Sequence, residues 1–138
     1  GSYTAGVLGD KYRKKNLLTI LYFLRSVVIL IFILLPVSAG SVLFFSAALG
    51  LLWLSTVPLT SGLVAQMFGA RYMGTLFGVV FLSHQIGSFL GVWLGGYFYD
   101  TTGSYMPVWW AGVALGVAAA IIHIPIRDDA KAPASQAA

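Results

Sequence analysis

The chain has 138 residues, 59% of them hydrophobic and 9% charged, with a net charge of +4 and a mean hydropathy of +0.88. A water-soluble domain carries roughly 25% charged residues, so this composition predicts a membrane protein. Zero cysteines exclude a disulfide scaffold and thiolate metal ligands. The positive charges flank apolar segments and form no stripe, which fits retention beside anionic lipid and not nucleic-acid binding.

The first element is a basic stretch over residues 6–15, GVLGDKYRKK, in which Lys11, Arg13, Lys14 and Lys15 surround the single carboxylate of Asp10. Its simplest reading is a solvated loop between two membrane spans. The small residues before it, GSYTAGVLGD, read as the end of a preceding helix, so residues 1–16 form a helix end plus a motif loop, with helices missing upstream. Gly1 and Ser2 read alternatively as a cloning remnant. Four apolar segments follow, at about 17–35, 42–68, 73–99 and 107–126, each near or above the roughly 20 residues a transmembrane helix requires. The expected fold is all-α and transmembrane. Residues 127–138 are polar, small and proline-containing, the composition of a disordered tail.

Charge placement orients these spans. Lys11, Arg13, Lys14, Lys15, Arg71, Arg127 and Lys131 all fall in connections on one side, whereas residues 36–41 and 100–106 hold no lysine or arginine. Positive charge near span ends stays cytoplasmic, so both ends are expected in the cytoplasm, as in a bacterial inner (plasma) membrane protein.

Few polar groups interrupt the spans. Arg25 lies about nine residues into the first, and an arginine at that depth costs roughly 2.5–3.5 kcal/mol on insertion scales. It reads as a counter-charge for an anionic substrate, because a guanidinium holds a carboxylate through two parallel bonds, or as a structural arginine. His84 and Gln85 sit near the middle of the third span. His84 can bind an anion when protonated or pass a proton, or serve as a neutral interhelical hydrogen-bond partner. Gly87, Gly91 and Gly95 recur every fourth residue and read as a helix-packing face. Pro58 is expected to kink the second span. Near it, Trp53, Thr56 and Thr60 share a face and are candidates to line a cavity. Trp109 and Trp110 read as an interfacial aromatic belt.

Gly6, Leu8, Asp10, Lys11, Lys14 and Lys15 match the pattern G-x-L-x-D-[RK]-x-G-[RK]-[RK], and the stretch resembles the loop motif of the major facilitator superfamily of transporters. Arg13 stands where that family usually has glycine. RYMGTLFGVVFLSHQIGSFLG and GGYFYDTTGSY resemble the monocarboxylate and oxalate/formate branch. The resemblance implies helices nine to twelve of a twelve-helix fold, a partial C-terminal half. It also implies secondary transport of a small anionic metabolite by alternating access, with protons as a candidate co-substrate and no cofactor. In the family the motif aspartate bonds at the start of a helix from the opposite half, which places the motif residues Gly6, Asp10, Lys11, Arg13 and Lys14 in conformational control.

Two other classes compete. A self-contained four-helix protein such as a small multidrug exporter needs a carboxylate within the membrane, and Asp10, Asp100, Asp128 and Asp129 all lie at span ends or in the tail. A membrane scaffold has no need of Arg25 or His84. An enzyme is not expected, since no nucleophile–base pair, metal cluster or phosphate loop appears.

Overall fold

A computed structural model describes residues 1–127; the tail expected to be disordered lies outside the described residues, apart from Arg127. The described chain forms five α-helices joined by short turns: α1 (Ser2–Lys11), α2 (Lys14–Leu34), α3 (Ala39–Phe68), α4 (Met73–Thr102) and α5 (Met106–His123). A single 3₁₀ turn, Ala70–Tyr72, links α3 to α4. The last four helices are long and apolar enough to cross a membrane. At 1.5 Å per residue α2 spans roughly 31 Å and α3 and α4 roughly 45 Å, so α3 and α4 exceed a hydrocarbon core of about 30 Å.

Some helix ends pass the expected spans because backbone hydrogen bonding continues into polar residues, while α5 stops at His123, short of 126. α3 begins at Ala39 and not at 42. Ser38 caps it: the Ser41 N–H donates to Ser38 Oγ at 3.1 Å, and the Ser38 N–H donates to Ser41 Oγ at 2.8 Å. That reciprocal pair satisfies two donors that a helix start otherwise leaves unpaired. α2 ends before Pro36, with Leu35 already extended at ψ 146°, since the residue before a proline is pushed out of the helical region. Gly69 and Gly103, at φ 80° and 70°, close α3 and α4 in a conformation that side chains disfavour. The expected loop at 6–15 is mostly helical. α1 runs through Asp10 to Lys11, only Tyr12 and Arg13 are extended, and α2 restarts at Lys14.

α2 organises the packing. It lies most extensively against α5 and next against α3, while α1 rests on α3 and α4 touches its neighbours lightly. Ala5, Leu18, Leu59 and Leu63 form the buried cluster where α1, α2 and α3 meet. The α2–α5 crossing is closer still. Ser26 is 3% exposed, and its hydroxyl lies 3.2 Å from the Val113 carbonyl and 3.3 Å from that of Tyr22. A Cβ built on Gly116 would fall on Ser26 Oγ, and one on Gly112 would meet Ile29 at 3.6 Å. Gly112, Gly116 and buried Ala120 therefore make the small-residue stripe that lets two backbones approach. By contrast, a Cβ on Gly87, Gly91 or Gly95 meets nothing within 4 Å beyond its own helix backbone. Gly87 and Gly91 are exposed among the described residues, whereas Gly95 is buried. Trp109, in the first turn of α5, stands edge-on to Phe32 and Phe45, both at 5.6 Å, and those two rings stack at 4.2 Å.

Candidate functional site

Two places gather the polar groups. The first is a cleft of about 520 Å³ between α2, α3 and α4. α2 supplies Tyr22 and Arg25, which are three residues apart and so share a helix face. α3 supplies Trp53, Thr56 and Thr60, and α4 supplies Phe77, Phe81 and His84. Five of the six residues read from the sequence as a substrate or proton path thus line one space. Gln85 does not, because one residue along a helix turns the side chain about 100° away.

Arg25 sits near the midpoint of α2 and is half-buried. Its guanidinium carbon lies 4.6 Å from the Trp53 ring centre and 5.3 Å from that of Tyr22. Such cation–π contacts offset part of the cost of holding a cation out of water. One terminal nitrogen donates to the Leu52 carbonyl at 3.4 Å, and Nε is buried with no partner among the described residues. Asp10 and Asp100, the described acids, lie near the ends of α1 and α4, so no described carboxylate neutralises this charge.

The hydroxyls of the cleft turn inward on their own helices. Thr56 donates to the Trp53 carbonyl at 2.7 Å, Thr60 to the Thr56 carbonyl at 2.8 Å, and Ser83 to the Val80 carbonyl at 2.7 Å. Their oxygens remain free to accept. α3 continues through Pro58, whose missing N–H would have bonded the Leu54 carbonyl. That carbonyl instead accepts from the Ser2 hydroxyl of α1 at 3.0 Å. Ser55, Thr56, Thr60 and Ser61 bond other carbonyls of α3 and not this one.

The second place is the basic corner between α1 and α2. Lys14 Nζ donates to the Gly9 carbonyl at 2.9 Å, and Lys15 Nζ donates to the Ile124 carbonyl at 3.3 Å. Both acceptors lie at helix C-terminal ends, where carbonyls lack intrahelical partners and the helix dipole favours a cation. The Lys14 stem runs between Gly9 and Gly62, and a Cβ on Gly62 would lie 2.8 Å from Lys14 Cε. Gly6 is open on its Cβ side, and Asp10 and Lys11 are exposed. Arg13 is the residue before the first turn of α2.

Sequence reasoning missed Tyr22, Phe77, Phe81 and Ser83 in the cleft, and Ser26 with Gly116 at the crossing. Phe77, Phe81 and His84 stand at i, i+4 and i+7, so one face of α4 was legible by spacing. Gly112, Gly116 and Ala120 carry the same four-residue period that drew attention to Gly87, Gly91 and Gly95.

An all-α integral membrane protein with a polar cleft between its spans is the class these features define. The family model of the Major Facilitator Superfamily matches residues 1–138, and the chain belongs to that superfamily. It is similar to the protein named "Uncharacterized MFS-type transporter YcxA" of Bacillus subtilis (strain 168), at 30% identity over 138 residues, covering 96% of this chain and 34% of the relative. The chain therefore spans about a third of the length of that curated relative. No solved structure matches it.

Proposed function

We propose that the chain is part of a secondary active transporter that moves a small anionic metabolite, such as a monocarboxylate, by alternating access. The observation that carries this reading is Arg25, a cation midway along a span that lines a cleft, with an unpartnered Nε and no described carboxylate beside it. A charge so placed is retained when it meets a pathway or a partner. An incoming carboxylate supplies the missing countercharge through paired N–H bonds. In this reading α2–α5 are the ninth to twelfth of twelve helices, and the remaining helices close the cleft near the bilayer midplane. The Lys14 end faces the cytoplasm, and the membrane is a bacterial inner membrane. His84, across the cleft on α4, is the group through which protons couple to uptake. The test is Arg25→Gln in the complete polypeptide carrying this chain, reconstituted in proteoliposomes. Uptake of labelled carboxylate should fall at least roughly tenfold, the equivalent of about 1.4 kcal/mol. Wild-type uptake by a normally inserted variant would remove Arg25 from the mechanism.

A further inference from the structure

A second groove runs between α2 and α5 and shares no lining residue with the cleft. Ile20, Phe23 and Leu24 of α2 and Val117, Ile121 and Ile124 of α5 form its walls, and all six are exposed. Thr19 also borders it, but the Thr19 hydroxyl donates to the Lys15 carbonyl at 3.0 Å. The groove therefore presents hydrocarbon and no free hydroxyl proton.

One end of it is charged. Lys15 stands one helical turn before Thr19, and its Nζ donates across the mouth to the carbonyl of Ile124, a wall residue, at 3.3 Å. An ammonium has three donors, so this bond leaves two for another acceptor. Lys14 turns elsewhere, to the Gly9 carbonyl of α1. Lys15 belongs to a run, residues 10–15, that carries four cations and one carboxylate, whereas Arg127 and Lys131 after α5 are matched by Asp128 and Asp129. The positive field at the mouth thus comes from the start of α2.

The length of the groove favours one kind of occupant. Lys15 to Leu24 is about nine residues, roughly 14 Å of helix, close to one leaflet of a hydrocarbon core about 30 Å thick. A packed transmembrane helix would need a seam along the whole span. The side chains point the same way. α5 turns Gly112 and Gly116 toward α2, and helices in lipid approach one another through such small residues. The groove walls carry bulky isoleucine, leucine, phenylalanine and valine instead. A flexible acyl chain fits between such side chains, where a helix backbone cannot come close.

We infer that this groove binds an acyl chain of an anionic phospholipid, with the headgroup phosphate on Lys15. Basic pockets between spans hold anionic headgroups in this way. The site goes beyond the anion path and stands or falls apart from Arg25.

The experiment places the complete polypeptide in phosphatidylcholine nanodiscs with a trace of a probe lipid. The probe carries a photoactivatable diazirine in one acyl chain and either a phosphatidylglycerol or a phosphatidylcholine headgroup, and cross-linked peptides are identified by mass spectrometry. The phosphatidylglycerol probe should label residues 19–24 and 117–124 together, about fivefold more than the phosphatidylcholine probe, the equivalent of about 1 kcal/mol for one juxtamembrane lysine. Lys15→Gln should abolish that preference, and Lys15→Arg should keep it. Equal labelling by both headgroups in the parent protein would mean unselective boundary lipid and would overturn the inference, with no variant needed. Labelling of neither segment would mean that another helix of the polypeptide or a second copy covers the groove, and would overturn it as well. So would a preference that survives Lys15→Gln.

Discussion

The α2–α5 crossing offers the sharpest quantitative prediction, Gly116→Ala. The added methyl would occupy the place of Ser26 Oγ, lie 3.3 Å from Ser26 Cβ and 3.4 Å from the Tyr22 carbonyl oxygen. Either the hydroxyl rotates away, losing its bond to Val113 on the facing helix, or the helices separate. An interhelical hydrogen bond in a membrane protein contributes about 0.6 kcal/mol on average and about 1.7 at most. Overpacking a tight contact costs about 1–3 kcal/mol. Together these give a loss of about 2–5 kcal/mol. Ser26→Ala alone removes the hydrogen bond and should cost only about 0.6–1.7 kcal/mol. The double variant keeps that loss but relieves the overlap, so it should be more stable than Gly116→Ala. The coupling between the two positions should then match the whole Gly116→Ala loss, about 2–5 kcal/mol in magnitude, because the hydrogen bond is lost in both single variants but only once in the double variant. Unfolding of the purified protein by SDS titration in mixed micelles measures all four states of the cycle. Additive effects, or a Gly116→Ala protein as stable as the parent, would refute the steric argument.

Three further perturbations address the basic corner, the proline and the cleft. Lys14→Met keeps the stem between Gly9 and Gly62 but deletes the donor to the Gly9 carbonyl. It should lose about 1–2 kcal/mol in the same titration, less than Gly62→Leu, which fills the channel the stem occupies; the reverse order would contradict this account. Pro58→Ala restores an N–H that competes with Ser2 for the Leu54 carbonyl. Hydrogen exchange at the amide this substitution introduces should be slow and the α1 amides should exchange faster, whereas unchanged α1 protection would show that Ser2 does not depend on the proline. His84→Ala should flatten the dependence of carboxylate uptake on pH, because it removes the group proposed to pass protons across the cleft. An unaltered profile would take His84 out of proton coupling.

Much of this molecule follows from one-dimensional pattern. Four apolar runs of membrane-spanning length, broken by Pro36, Gly69 and Gly103, determine an all-α transmembrane chain, because only hydrogen-bonded helices or closed barrels satisfy the backbone in lipid. A lone arginine deep in a span, and a proline-bearing helix with hydroxyls on one face, were visible by the same logic: each is expensive in hydrocarbon and so stands out from its neighbours. The motif at residues 6–15 was legible as a pattern but not as a shape, since the corner that α1 and α2 make depends on the packing of Ala5, Leu18, Leu59 and Leu63 and on the Gly9 carbonyl that Lys14 reaches.

What only the tertiary structure decided is which of several equivalent patterns meets a partner. Gly87, Gly91 and Gly95 and the set Gly112, Gly116 and Ala120 have the same period. Ser26 and Ile29 fill the space that the missing side chains of Gly116 and Gly112 leave, whereas Gly87 and Gly91 stay exposed among the described residues. His84 and Gln85 are adjacent and equally polar, yet only His84 reaches the cleft, because α4 turns that face toward α2 and α3. Spacing along a chain determines which side chains share a helix face. The direction that face points depends on contacts between residues far apart in sequence, such as Ser26 with Val113 and Arg25 with Trp53, and those pairings exist only once the helices have packed.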